Sequence, residues 1–183
     1  MFRKVFFAIL LTALVGGCQK PPMFEQEHPG SKGHPPELLG YYAAKEIRPG
    51  ETWNVYLKAK DIDGDMKYIV AVLSVKGDAS SPTSEIWLKG VNRSDCDGYI
   101  FMNTPPLDMT LLSTLGKLSL SIFIRDWAGN KSKTVKLPLT FNESAEPEKV
   151  PANWQEAANN ELGYISNTLL SVDQLGPTGR GWD

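Results

Sequence analysis

Residues 118–141 read LSLSIFIRDWAGNKSKTVKLPLTF, and this stretch decides the fold class. Apolar side chains occupy every second position over 118–124 and again over 135–141. Strict alternation predicts strands that bury one face, and the Asp-Trp-Ala-Gly-Asn sequence between them is typical of a tight turn. Pro138 cannot donate a ladder hydrogen bond, so the second strand should lie at a sheet edge or contain a bulge.

The same period of two recurs upstream, at 53–60. Residues 67–75 are apolar on both faces, so both faces of that strand should be covered. Turn residues separate these segments, and no helical pattern lies between them, which disfavours a parallel α/β sheet. The sequence therefore predicts an all-β sandwich of about seven short strands within residues 38–142. Shorter candidate strands lie at 39–45, 85–89 and 98–103.

Three turns connect this region to a known family. Pro49-Gly50 precedes a strand, DIDGD at 61–65 follows it, and RDWAGN at 125–130 precedes the last strand. On these motifs, residues 48–141 resemble bacterial immunoglobulin-like and cadherin-like domains. The resemblance implies an immunoglobulin-like β-sandwich, and such a fold does not by itself fix a function.

The first residues read MFRKVFFAILLTALVGGC and predict an export signal over residues 1–17. Arg3 and Lys4 form a basic start, and the apolar run after them is shorter than the about 20 residues that a membrane-spanning helix needs. The ending VGGC at 15–18 resembles the lipobox of bacterial lipoproteins. An ordinary cleaved signal peptide with a chance cysteine is the alternative.

The lipobox resemblance implies where the protein is located. By that resemblance, the Cys18 thiol receives a diacylglycerol, the signal peptide is cut before Cys18, and the new amine is acylated with a fatty acid such as palmitate. Two or more acyl chains make a stable membrane anchor. We therefore expect a lipid-anchored protein of the cell envelope. In a Gram-negative cell, Gln19 rather than Asp after the cysteine implies sorting to the outer membrane.

Residues 18–37 are rich in Pro and Gly and poor in apolar side chains, which predicts a flexible tether. His28 and His34 lie in it, and we do not expect them to bind metal, since no further ligands or rigid frame accompany them.

Carboxylates suggest a metal site elsewhere. Asp61, Asp63 and Asp65 lie within five residues, and an immunoglobulin-like topology would bring the 126–131 loop to the same end of the sandwich. Calcium binds six to eight hard oxygens, which clustered Asp and Asn loops supply. Turn formation alone also explains these residue types. The candidate calcium ligands are Asp61, Asp63, Asp65, Asp126 and Asn130, with Asp95 or Asp97 as further candidates.

Residues 143–183 predict a linker, an amphipathic helix and a tail. Asn153 and Glu156 resemble a capping box, and Gly176-Pro177 would end the helix. Such a helix would either cover the second face of the 67–75 strand, or dock onto a partner or a second copy of the chain. Its apolar stripe is Trp154, Ala158, Leu162, Ile165, Leu169 and Val172.

Composition and motifs limit the classes of function to expect. The net charge of −2 gives no basic footprint for nucleic acid. We expect no enzyme, because no histidine follows His34 and no phosphate-binding loop or metalloprotease motif occurs. The expected function is protein binding or assembly in the envelope. The alternatives are binding of a carbohydrate or other polymer, and a purely structural role. Trp127 is the candidate for ligand contact, although it could equally pack over the sandwich end. Cys96 reads as a small buried hydrophobe.

Overall fold

The computed structural model describes residues 33–75, 80–106 and 117–170. The predicted signal peptide, the lipobox with Cys18, most of the tether and the end of the predicted helix lie outside these ranges. None of the described helices is both long and apolar enough to cross a membrane. The strands are β1 (Glu37–Ala43), β2 (Glu46–Ile47), β3 (Thr52–Lys60), β4 (Met66–Val75), β5 (Ser84–Trp87), β6 (Asp95–Asn103), β7 (Leu118–Asp126), β8 (Val135–Phe141) and β9 (Glu161–Tyr164).

Two sheets face each other across one core. The four-stranded sheet has the order β1-β3-β6-β9, and the five-stranded sheet has the order β2-β8-β7-β4-β5. Most neighbours are antiparallel, while β2 pairs with β8 and β9 with β6 in parallel. This arrangement confirms the predicted all-β, immunoglobulin-like sandwich. Two of the described strands are additional to the expected seven. β2 has only two residues, and β9 follows the region in which strands were predicted.

Alternation of side chains places the core between the sheets. Along β7, buried and half-buried residues alternate at every position, as the sequence pattern predicts. The fully buried side chains include Trp53 and Leu57 of β3 and Ile69 and Leu73 of β4. The Thr140 N–H donates to the Lys45 carbonyl, away from β7, so an N–H two residues earlier, at Pro138, would also face away from β7. Since β2 pairs only with the last two residues of β8, the proline interrupts neither ladder.

Over residues 152–170, the described part of the predicted C-terminal amphipathic helix, no α-helix is formed, and this prediction was wrong. Residues 152–170 instead contain short 3-10 helices at Ala152–Trp154, Ala157–Asn159 and Thr168–Leu170, with β9 between the second and third. Gly163, in β9, has a φ of 152°, which no helix accommodates. The predicted capping box is also absent, because no side chain caps the 3-10 helix that begins after Pro151.

Tertiary contacts bury the apolar stripe without a helix. Trp154 packs against Tyr42 and Tyr56 on the outer face of the four-stranded sheet, with its ring centroid 6.5 and 6.3 Å from theirs. Ile165 and Leu170 enter the main core. The segment therefore packs on the sandwich, but on the sheet opposite to the one that contains the 67–75 strand.

Candidate functional site

The turn between β3 and β4 gathers three carboxylates, which we call the Asp triad: Asp61, Asp63 and Asp65. One side-chain oxygen of each lies within 4.8 Å of the others. The backbone N–H of Asp63 donates to Asp61 Oδ1 at 2.9 Å, and Gly64 takes a φ of 69°, so local turn chemistry sets the geometry. The Asp triad thus combines a tight turn with a concentration of negative charge.

Two oxygens of the Asp triad are buried without a hydrogen-bond partner among the described residues: Asp61 Oδ2 and Asp65 Oδ1. Asp61 is only 4% exposed. Burial and then the charges on Asp126 and Asp61 raise the pKa of the Asp65 carboxyl. Since a buried, unpaired carboxylate is unfavourable, this arrangement favours binding of a proton or a cation.

The second predicted ligand group lies on the turn between β7 and β8. Asp126 is buried, and its Oδ1 and Oδ2 accept hydrogen bonds from the backbone N–H and side-chain amide of Asn130, at 2.7 and 2.8 Å. The two turns are joined, because the Trp127 N–H donates to the Asp65 carbonyl at 3.1 Å. The charge of Asp126 therefore acts on the Asp triad. Both of its carboxylate oxygens, however, already accept hydrogen bonds that stabilise the β7–β8 turn.

The two further candidates lie outside the triad. Asp97 forms an ion pair with Lys58, with Oδ2 and Nζ 3.0 Å apart. Asp95 is exposed and lies opposite Lys60 in the β3–β6 ladder. Neither belongs to the group of closely spaced metal-ligating side chains that the described ranges contain.

Sequence analysis missed a contact between the tether and the Asp triad. The backbone N–H of His34 donates to Asp63 Oδ2 at 2.5 Å, and its ring Nδ1 lies 3.3 Å from both carboxylate oxygens. These hydrogen bonds, the backbone one above all, lower the pKa of the Asp63 carboxyl. No sequence signal indicates this pairing, since the residues are far apart in the chain and meet only through the fold.

An aromatic surface adjoins the same end of the sandwich. Trp87 and Trp127 are each 49% exposed, and their ring centroids are 5.9 Å apart; Tyr68 lies beneath, with its centroid 5.5 Å from that of Trp87. We call these three residues the aromatic patch. Alternation in β4 and β5 aligns Tyr68 with Trp87, which face each other across the ladder. The two indoles are tilted by 56° and so form no flat platform.

Two cations contact the aromatic patch. The Lys67 ammonium lies 5.2, 5.3 and 4.6 Å from the ring centroids of Tyr68, Trp87 and Trp127. The Arg93 guanidinium lies 5.9 Å from the Trp127 centroid. Neither cation forms an ion pair with a carboxylate in the described ranges. Trp, Tyr and Arg are the residue types that dominate binding hot spots, and the aromatic patch together with Arg93 presents all three.

A groove lies beside Trp87, between the edge strands β5 and β9. Its volume is about 460 Å³, within the range of ligand-binding clefts. Cys96 is buried, as predicted, and burial raises the pKa of its thiol to about 12, which leaves it unreactive. The lining of the groove comprises Pro82, Thr83, Ser84, Glu85, Ile86, Trp87, Lys89, Leu162, Gly163, Tyr164 and Ser166.

Comparison with known proteins finds likenesses of fold only. No protein-family model matches the sequence, and no curated protein matches it. The PKD domain of an M14-like peptidase from a Thermoplasmatales archaeon is 14% identical, with a TM-score of 0.38, over 60% of this chain and 97% of that domain. The CARDB domain of a Pyrococcus furiosus protein, solved in complex with di-metal ions, is 8% identical, with a TM-score of 0.32, over 59% and 86%. At these low scores, we transfer no property of either protein to this chain.

Proposed function

We propose that this chain is a lipid-anchored, non-catalytic protein of the cell envelope whose immunoglobulin-like domain binds a protein partner. The observation that carries this proposal is the aromatic patch. The exposed apolar surface of the two indoles is unfavourable in water unless a partner covers it. Trp, Tyr and Arg are also the side chains most enriched at binding hot spots. Lys67 and Arg93 add positive charge that a partner can neutralise.

Replacement of Trp127 by Ala tests the binding proposal. We expect this variant to lose a partner that the wild-type chain captures, by cross-linking, from detergent-solubilised membranes, because truncating a hot-spot residue costs about 2 kcal/mol or more of binding free energy. Tyr41→Ala is the matched control: Tyr41 is 47% exposed but lies on β1, in the other sheet. Equal capture by wild type and Trp127→Ala would contradict the proposal.

Carbohydrate binding is a second candidate, favoured by the exposure of the two indoles. Sugars stack on such rings, although the 56° tilt removes the coplanar platform that a flat polysaccharide needs. A glycan array signal that disappears in Trp127→Ala, without capture of any protein, would select this candidate.

The lipid anchor is tested at Cys18. We expect Cys18→Ala to leave an unprocessed precursor that no longer partitions into the detergent phase, because the thioether and the new amine that hold the acyl chains cannot form. Intact-mass measurement of the natively produced protein checks the same point. A variant that partitions like wild type would contradict lipidation.

We also propose that the Asp triad binds a calcium ion. Three carboxylates in one turn supply hard oxygen ligands, and the buried, unpartnered oxygens of Asp61 and Asp65 are the observation that supports a cation there. The ion would neutralise the Asp triad, so its role would be to stabilise the β3–β4 turn, at the end of the sandwich next to the aromatic patch.

A further inference from the structure

Strand β5 has a free side. Among the described residues, it pairs with β4 only, and the five-stranded sheet ends at β5. The Leu88 N–H donates to the Lys67 carbonyl at 2.9 Å, and Ile86 lies opposite Ile69. Since successive strand residues direct their backbone N–H and C=O groups to opposite sides, those of Glu85 and Trp87 point away from β4.

The groove lies on this free side and has two walls. Trp87 stands on the β5 wall, and Tyr164, 69% exposed, stands on the β9 wall. The floor is closed where the strands meet: the Ser166 N–H donates to Ser84 Oγ at 2.8 Å, and a Cβ on Gly163 would lie 2.8 Å from Ile86 Cγ2. The result is a narrow channel that borders unpaired backbone groups.

The charge at the Trp87 end of the channel is positive. Lys67 lies against Trp87 without an ion pair in the described ranges, and Lys89 lines the groove. Glu85, which also lines it, is the acidic side chain among the lining residues and can balance only one of these cations.

We propose that an extended segment of the partner protein adds to the edge of β5 as a further strand and places an acidic side chain at Lys67. This inference rests on the proposed protein-binding function and names its mode, since strand addition uses main-chain hydrogen bonds for affinity and flanking pockets for specificity.

The test uses random peptides displayed on phage and selected on the full chain in detergent. Glu85→Pro removes a groove-facing N–H and leaves the β4 ladder intact, so it should fold while weakening selected peptides about tenfold or more. Glu85→Gln is the matched control: it keeps the N–H, and we expect binding within about twofold of wild type. Lys67→Gln should weaken binding and reduce its dependence on salt.

Hydrogen exchange on the wild type provides a measurement that needs no variant. We expect the amides of Glu85 and Trp87 to become protected when a selected peptide is added. The inference is overturned if no peptide is enriched, if these amides stay unprotected, or if Glu85→Gln loses as much binding as Glu85→Pro. A dimer that Glu85→Pro abolishes would assign the edge to a second copy and overturn it too.

The two proposals fail in different ways. If Trp127→Ala loses partner capture while Glu85→Pro retains it, protein binding stands and strand addition is excluded. If neither variant affects capture, the aromatic patch is not the binding surface and both proposals fail.

Discussion

Asp65→Asn is expected to raise the melting temperature of the metal-free protein at neutral pH and to abolish further stabilisation by calcium. Burial and the charges on Asp126 and Asp61 disfavour the Asp65 carboxylate in the folded state, and the amide removes that charge at nearly constant shape. We expect a rise of about 2–4 °C, the shift that 1 kcal/mol produces in a chain of this size. Scanning calorimetry in the presence of a chelator measures it.

Calcium should stabilise the wild type and leave the stability of Asp65→Asn unchanged. At a concentration 100 times the dissociation constant, binding stabilises the wild type by about 2.7 kcal/mol, or about 5–10 °C, while Asp65→Asn should not respond. Asp95→Asn is the control, because Asp95 is exposed and outside the Asp triad, and it should keep the full calcium response. A wild type that shows neither heat of binding nor a shift at millimolar calcium would end the metal proposal.

The pH dependence of the metal-free protein separates Asp65 from Asp63. A carboxyl whose pKa is raised by folding stabilises the folded state below that pKa, and the contribution is lost as the pH rises through it. Asp65 should therefore make the wild type less stable as the pH rises above the ordinary Asp range, and Asp65→Asn should remove this loss. Asp63, with a lowered pKa, acts with the opposite sign: its contribution is present at neutral pH and is lost on acidification. If Asp65→Asn melts below wild type at neutral pH, the raised pKa does not describe the folded state.

The sandwich was predictable because its signal is local. In a strand, every second side chain faces the core, so the alternation over 118–124 and 135–141 records burial directly in the sequence. The Asp triad was predictable for the same reason, since its three members share one turn. Both features can be predicted without knowing which strands pair.

The contacts that sequence analysis missed are non-local. His34 meets Asp63 only because the chain leading to β1 passes the β3–β4 turn, and Gly33 lies there too. Lys67 meets Trp127 because β4 pairs with β7 in one register. Propensity and periodicity contain no information on these pairings, which the packing of the two sheets decides.

The C-terminal segment shows how a helical spacing misleads. Apolar residues three and four apart predict a helix, yet the same side chains are buried separately: Trp154 on the outer sheet face, Ile165 and Leu170 in the core. The backbone between them follows β6 because the carbonyl of Asn160 accepts the Tyr99 N–H at 2.9 Å. Tertiary hydrogen bonds therefore override a weak local preference.

Gly98→Ala is expected to lower the free energy of unfolding by about 3 kcal/mol, at the upper end of the cost of overpacking. A Cβ at this position would lie 2.6 Å from the Asn160 carbonyl oxygen and 2.8 Å from Leu162 Cγ. The Asn160 backbone cannot move aside freely, because its side-chain amide also donates to the Asp97 carbonyl at 2.8 Å and to Asn92 Oδ1 at 3.1 Å. Urea unfolding measures the loss.

Gly90→Ala is the matched control for this substitution. Gly90 has a φ of 55° and no atom within 4 Å of an added Cβ, so the change should cost only the about 1–2 kcal/mol of a left-handed residue. Hydrogen exchange gives the second readout: in Gly98→Ala, the amides of Tyr99 and Ile165, which bond to Asn160 and Phe101, should lose protection before the rest of β6. If Gly98→Ala costs no more than Gly90→Ala and the amides of Tyr99 and Ile165 are unprotected already in the wild type, residues 160–165 do not pack on β6, and the C-terminal segment is free to dock onto a partner instead.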